Sequence, residues 1–186
     1  GMTTADLDAL ARESIAGHGA TSSFLGYHGF PAVICASVND EVVHGIPGER
    51  VIESADIVSI DCGAIIEGWH GDDAISIVMP DAAEDISALS EVTQSSLWAG
   101  LAQARVGRHL SDIGHGVEEC IRGAGGYGIV EEYVGHGIGS EMHMRPPVPN
   151  YGRPGRGPRL EAGMALAIEP MGTLGTANVQ GLNDQW

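Results

Sequence analysis

Four side chains in this sequence stand where an ionisable or polar group is costly unless something holds it. Asp61 interrupts the apolar run Ile57-Val58-Ser59-Ile60-Asp61-Cys62, and Asp72 follows in Gly68-Trp69-His70-Gly71-Asp72-Asp73. His136 lies in Gly135-His136-Gly137-Ile138-Gly139, and Glu169 ends Ala165-Leu166-Ala167-Ile168 just before Pro170. A carboxylate in an apolar strand needs a hydrogen-bonding, ionic or metal partner. Two strands joined by a tight turn can bring Asp61 and Asp72 face to face, and like charges held that close call for a cation. Asp73 is the rival for the second role, but it points to the opposite face of its strand from Asp72. Each residue alone also has an ordinary reading, as a hydrogen-bonded structural acid or a loop histidine. Together, two Asp, one His and one Glu make an oxygen-rich ligand set suited to Mn, Fe, Co or Zn. The three cysteines lack the spacing of a structural zinc site.

Two further histidines have distinctive settings: His44 in Val42-Val43-His44-Gly45-Ile46-Pro47, and His143 in Glu141-Met142-His143-Met144-Arg145-Pro146. Imidazole titrates near working pH, so either could act as an acid-base or transition-state group, or be structural. His18, His70, His109 and His115 lack such contexts and read as surface or core.

The elements that must position these groups are legible as a pattern. Thr4 can cap a helix over 5–17, with Leu7, Leu10, Ala11, Ser14 and Ile15 on one face. Residues 32–37 and 41–43 read as strands around Asn39-Asp40, and 56–66 and 69–79 as a hairpin turning at Glu67-Gly68. Helices follow at 85–105 and 110–123. Ser111 is the expected cap of the second, and its buried stripe is Ile113, Val117, Cys120, Ile121 and Ala124. Strands are expected near 130–134 and 164–171. The Pro-, Gly- and Arg-rich stretch 146–158 reads as an exposed loop, because prolines cannot serve a sheet interior. Residues 3–24 and 111–133 repeat one order of cap, helix, glycine break and strand. Two similar halves would leave a cleft between them.

A length of 186 residues and 43% hydrophobic content suit one domain, expected over 1–186, with a real core. Nine Lys plus Arg against 25 Asp plus Glu, a formal charge of -16, argue against direct nucleic-acid binding. Nothing approaches a membrane span, and the first twenty residues show no secretory signal. Cys35, Cys62 and Cys120 are few, scattered and odd in number, which suits a reducing, cytoplasmic setting.

Taken together, the motifs resemble type I methionine aminopeptidase. The resemblance is carried by Phe24-Leu25-Gly26-Tyr27-His28-Gly29-Phe30-Pro31, by the run from Cys35 through His44-Gly45-Ile46-Pro47, by the Asp61 and Asp72 strands, by the Gly135 to His143 segment, and by Ile168-Glu169-Pro170-Met171, in that order. It implies an α/β (α+β) pita-bread fold, two pseudo-symmetric halves around a central antiparallel sheet. It implies removal of the N-terminal methionine from nascent proteins by two-metal hydrolysis, favouring a small second residue. The cofactors would be two divalent ions (Co, Mn, Fe or Zn). Asp61 would chelate one, Asp72 would bridge both, and His136 and Glu169 would complete the other. His143 would hold the scissile carbonyl or its oxyanion, and His44 would contact the scissile amide nitrogen. Tyr27, Phe30, Cys35, Met142 and Trp186 would line the methionine pocket. The implied partners are nascent chains and, as a further candidate, the ribosome, with the protein a monomer.

The sequence departs from the family in places. A further family glutamate is expected after Glu169, yet no Glu follows it here, and an upstream helix is also expected. The chain therefore reads as truncated at both ends and incomplete at the C-terminus, with weak metal binding, poor activity and a tendency to aggregate expected of the bare fragment. Met144 and Arg145 stand where two acids are usual, and Asp73 where a small hydroxylated residue is common. Two competing readings follow: a non-catalytic pita-bread module that binds peptide or ribosome with an impaired metal site, and a related peptidase acting on other N-termini.

Overall fold

The first helix, α1 (Thr4–Gly17), starts one residue earlier than expected and is capped by Thr3, not Thr4. The Thr3 hydroxyl accepts from the Asp6 N–H at 3.1 Å, and the Asp6 carboxylate accepts from the Thr3 N–H at 2.8 Å. This is a reciprocal capping box. Leu7, Ala11 and Ile15 of α1 pack against Val33, Ile34 and Ala36. Leu10 and Ser14, expected on that stripe, are exposed. The computed structural model that provides these details describes residues 1–181. Trp186 lies outside them.

The chain divides into two compact units. One comprises Gly1–Ala83 with Gly139–Met142, and the other Glu84–Ile138 with His143–Val179. In the first, β1 (Thr21–Ser22), β2 (Ile34–Val38), β3 (Ile57–Ile66) and β4 (Trp69–Val78) form an antiparallel sheet. β1 and β2 pair with successive stretches of β3, while β4 pairs with its whole length. The β3–β4 turn is the expected Glu67-Gly68, with φ of 53° and 83°. Two positive φ values in a two-residue loop match the twist of a hairpin. The strand expected at 41–43 does not form. The Val38 N–H donates to the Glu41 carboxylate at 2.9 Å, and Asn39 and Val43 both take positive φ, so the chain turns instead of pairing.

The second unit carries α2 (Glu84–Leu101), which ends four residues earlier than expected, and α3 (Leu110–Ala124). Ile113, Val117 and Ile121 are fully buried on α3 as expected, but Cys120 is half-buried and Ala124 exposed. The cap is His109, whose N–H donates to Asp112, and not Ser111. Ser111 instead accepts from the Arg156 N–H at 2.8 Å. β5 (Tyr127–Ile129) pairs with β9 (Gly172–Leu174), and β6 (Gly135–Gly137) lies between β7 (Met144–Val148) and β8 (Leu166–Ala167), all antiparallel. The expected strand at 130–134 is thus replaced by two shorter ones on either side, and that at 164–171 shrinks to β8.

The prolines at 146 and 147 lie in a strand after all. β7 is at the edge of its three-stranded sheet, where a missing N–H costs no ladder bond. Val148 and Asn150 are buried, and only 153–159 is the exposed loop expected.

α3 lies so close to the chain after β7 that only glycine fits at 114: a Cβ there would sit 2.2 Å from the Pro149 carbonyl oxygen and 2.8 Å from that of Tyr151. Those are backbone atoms that cannot swing aside. Gly114→Ala should lower stability by about 1–3 kcal/mol or more. Urea unfolding should show this as a lower midpoint at unchanged slope; an unshifted midpoint would contradict the contact.

Candidate active site

β3 and β4 place the two aspartates by register. Asp61 lies opposite Ala74, and Asp72 lies opposite Gly63. Alternate residues of a strand share a face, so Asp61, Gly63 and Asp72 point to the same side, staggered by two positions. Asp73 pairs with Cys62, faces the other way and is exposed, as expected for the rival. Gly63 has no room for a side chain, because a Cβ would meet the Phe24 ring at 2.6 Å. The Asp72 Oδ1 is sealed from solvent. Cys35 on β2 stands directly opposite Asp61. Burial first, then the charges of Asp61 and Asp72, push its thiol pKa far up, so it stays protonated. The same order of causes raises Cys62, with Asp73 contributing as well. Both carboxylates thus act on Cys35, which stands on their face of the sheet.

His70 has no role in the sequence reading. It lies on the same face as Asp72, two residues before it. Its Nδ1 is 2.9 Å from the hydroxyl of buried Ser23, and its N–H donates to the Gly139 carbonyl at 2.8 Å. That second bond anchors the segment carrying Met142. Parity with Asp72 along one strand was the signal available for it.

Met142 gathers with Phe24, Phe30, Ala32 and Cys35 into one buried apolar cluster, with Tyr27 packed against it. Four of the five expected pocket residues thus come together. Phe30 stacks edge-on against Phe24, with ring centroids 6.4 Å apart.

His44 is half-buried on the strap that follows β2, and burial depresses its pKa below the ordinary histidine range. Its N–H closes a tight turn onto the Val42 carbonyl at 2.8 Å, around Val43 at φ 48°. A β-branched residue in the left-handed region is strained, at a cost of about 1–3 kcal/mol, and persists only where its surroundings over-determine it.

In the second unit, His136 on β6 is buried, and its Nδ1 lies 2.9 Å from the Gly137 carbonyl oxygen. A carbonyl only accepts, so Nδ1 is the donor here and Nε2 is the nitrogen left to meet another group. That nitrogen faces Glu169 Oε1 at 3.7 Å. The separation is long for a hydrogen bond. Two donors held about 2.1 Å from one tetrahedral ion sit about 3.4 Å apart, so the spacing suits ligands of a shared metal. Fixing one ring nitrogen on a carbonyl is also how metal-binding histidines are commonly oriented. His143 packs edge-on against His136, with ring centroids 4.4 Å apart. Glu169 lies beyond the end of β8, and its carbonyl accepts from the side chain of fully buried Asn150 at 2.9 Å. Asn150 is a second residue the sequence reading missed, hidden in what looked like a solvated loop.

Among the described residues, no group of three or more His, Cys, Asp or Glu is gathered into a preformed metal cage. The first unit offers the Asp61/Asp72 face and the second the His136/Glu169 pair, and the chemistry of each set fits divalent metal. A separate open groove of about 500 Å³ on the second unit, lined by Gln103, Arg108, Asp112, His115, Glu119 and Cys120 among others, contains none of the expected site residues.

Residues 1–183 match the family described as metallopeptidase family M24. A methionine aminopeptidase of Clostridium acetobutylicum is 51% identical over the whole chain, which spans 74% of that protein. Methionine aminopeptidase 1 of Mycobacterium tuberculosis is 52% identical, with 72% of its length covered. The crystal structure of methionine aminopeptidase from Rickettsia prowazekii superposes with a TM-score of 0.96 at 36% identity, covering all of this chain and 75% of that one. The expected fold class holds: mixed α/β with antiparallel sheets, as in the pita-bread fold.

Proposed function

The chain belongs to metallopeptidase family M24, among its methionine aminopeptidases, and from that premise we propose how its own residues carry the reaction. It is a metal-dependent hydrolase of the aminopeptidase class. The substrate is the N-terminal methionine of nascent polypeptides, with a small second residue favoured. Supporting this most directly is the His136/Glu169 pair, whose orientation and spacing suit a divalent cation.

Asp61, Asp72, His136 and Glu169 would hold the divalent ions. Aminopeptidases are among the known two-metal hydrolases, and bound metal supplies an activated water and charge stabilisation at the carbonyl. The protein's part is orientation. His143 holds the scissile carbonyl and the oxyanion that develops from it, and His44 meets the scissile amide nitrogen. Tyr27, Phe30, Cys35 and Met142 receive the methionine side chain. A close apolar pocket discriminates by about 1–3 kcal/mol per methylene. The protonated Cys35 thiol serves such a pocket as an apolar wall, not as a nucleophile.

Residues 1–186 belong to one catalytic domain, working as a monomer in the cytoplasm on nascent chains, with the ribosome a further candidate partner. No helix among the described residues is long and apolar enough to cross a membrane.

The test is release of free methionine from Met-Ala and Met-Gly peptides. Activity should vanish with chelator and return on titrating Co, Mn, Fe or Zn, the most effective ion naming the metal. Binding without cleavage would favour the non-catalytic module, and cleavage of N-termini other than Met would favour the related peptidase. The family relationships do not favour the module.

A further inference from the structure

The strained turn before His44 is held by one hydroxyl. Ser37, buried on β2, donates from Oγ to the Val43 carbonyl at 2.9 Å and accepts from the Gly45 N–H at 3.0 Å. The two bonds bracket His44 on either side. The strap is also laid flat on β2, because the Ala36 N–H donates to the Gly45 carbonyl at 2.8 Å, and a Cβ at Gly45 would sit 2.5 Å from the Ala36 carbonyl oxygen. An i to i+2 turn around a positive φ is the rare, strained form of the γ-turn, and valine is among the residues least suited to it. Left alone, Val43 would relax towards ordinary backbone and carry His44 with it.

We propose that Ser37 is a positioning residue for the peptidase reaction: its hydroxyl locks the strained turn at Val43 and so fixes where the His44 imidazole stands. The proposal rests on His44 acting at the scissile amide. Ser37 touches no substrate in this scheme. It acts only through His44, and misplacement of a working group by about 1 Å can cost on the order of 100-fold in rate.

The experiment measures kcat and KM for a Met-Ala peptide in the intact, metal-loaded protein, with the unfolding midpoint measured in parallel. The variants are Ser37→Ala, His44→Ala, the Ser37→Ala/His44→Ala double, and Ser37→Ala/Val43→Gly. Ser37→Ala should lower kcat about 10- to 100-fold with KM little changed. In the His44→Ala background the same substitution should cost almost nothing further, because what it positions is gone. Glycine adopts positive φ without strain, so Val43→Gly should restore most of the kcat lost in Ser37→Ala, and it serves equally if the single variant folds poorly. An equal loss in both backgrounds, no loss at all, or no rescue by Val43→Gly would overturn the positioning role. A His44→Ala protein with unchanged kcat would instead remove the reading of His44, and the proposal with it.

Discussion

Asp72→Asn should abolish metal-dependent peptidase activity, by about 1000-fold or more, and leave the metal-free protein as stable as the parent or more so. The two halves of that outcome come from one arrangement. Asp61 and Asp72 share a face of the β3–β4 hairpin, staggered by two positions through the Asp61–Ala74 and Gly63–Asp72 register. Without a cation they repel, and the sheet holds that repulsion in place. Removing one charge relieves it. With metal present the sign reverses: charge stabilisation by bound metal is worth several kcal/mol at the transition state, and each 1.36 kcal/mol is tenfold in rate. Metal binding to the native state also raises apparent stability, by about 2.7 kcal/mol at one hundred times the dissociation constant. The check is thermal or urea unfolding of parent and Asp72→Asn, each with chelator and with added ion, alongside metal content. The parent midpoint should rise with metal and the variant's should not. A variant less stable than the parent in chelator would mean that Asp72 is a structural residue, and the ligand assignment would fail. Asp73→Asn is the internal control: it faces the other side of the sheet and is exposed, so it should leave metal binding intact.

The same hairpin shows why some of the site was legible in the sequence and some was not. Strand period and a two-residue turn suffice to put Asp61 and Asp72 on one face and Asp73 on the other, because side-chain alternation is a local property of the chain. Acids inside apolar runs carry their own signal, since burial is costly without a partner. His70 obeys the same parity, but its surroundings are not apolar, so parity is its one signal. Ser37 and Asn150 were invisible for a different reason. Each acts on a main-chain group of another segment, Ser37 on the strap at 43–45 and Asn150 on Glu169, and no spacing rule relates them. The missed caps are instructive too. Thr3 and Thr4 have equal intrinsic capping ability, and the choice falls to Thr3 because Asp6 completes the reciprocal box, while Thr4 turns inward to bond Gly48. The β propensity of Val42 and Val43 favours a strand at 41–43, and the turn that lays the chain on β2 overrides it. That override is what presents His44.

His44→Ala should lower kcat by about 100- to 10,000-fold, the usual worth of a positioned acid-base group, and should alter the acid side of the pH profile. Burial disfavours the charged ring, so the His44 pKa in the folded protein lies below the ordinary value near 6.5. The imidazole is therefore neutral at pH 7, with one ring nitrogen as donor and the other as acceptor, as needed to meet an amide nitrogen whose proton count changes during cleavage. Protonation removes the acceptor. Activity dependent on the neutral ring should fall as pH drops through the folded pKa, with its acid limb below 6.5. In His44→Ala that limb should be gone from the residual rate. Stability follows the same linkage. Between 6.5 and the lower folded pKa the unfolded chain binds the proton and the native one does not, so stability falls with falling pH in that window. The contribution of His44 is complete above about 6.5 and lost as pH descends towards the folded value; the alanine variant should lack that share of the slope. Profiles of kcat for parent and variant over pH 5–8, with unfolding midpoints at the same points, decide it. An acid limb that survives unchanged in His44→Ala would assign the titration to another group and leave His44 a structural role on its strap.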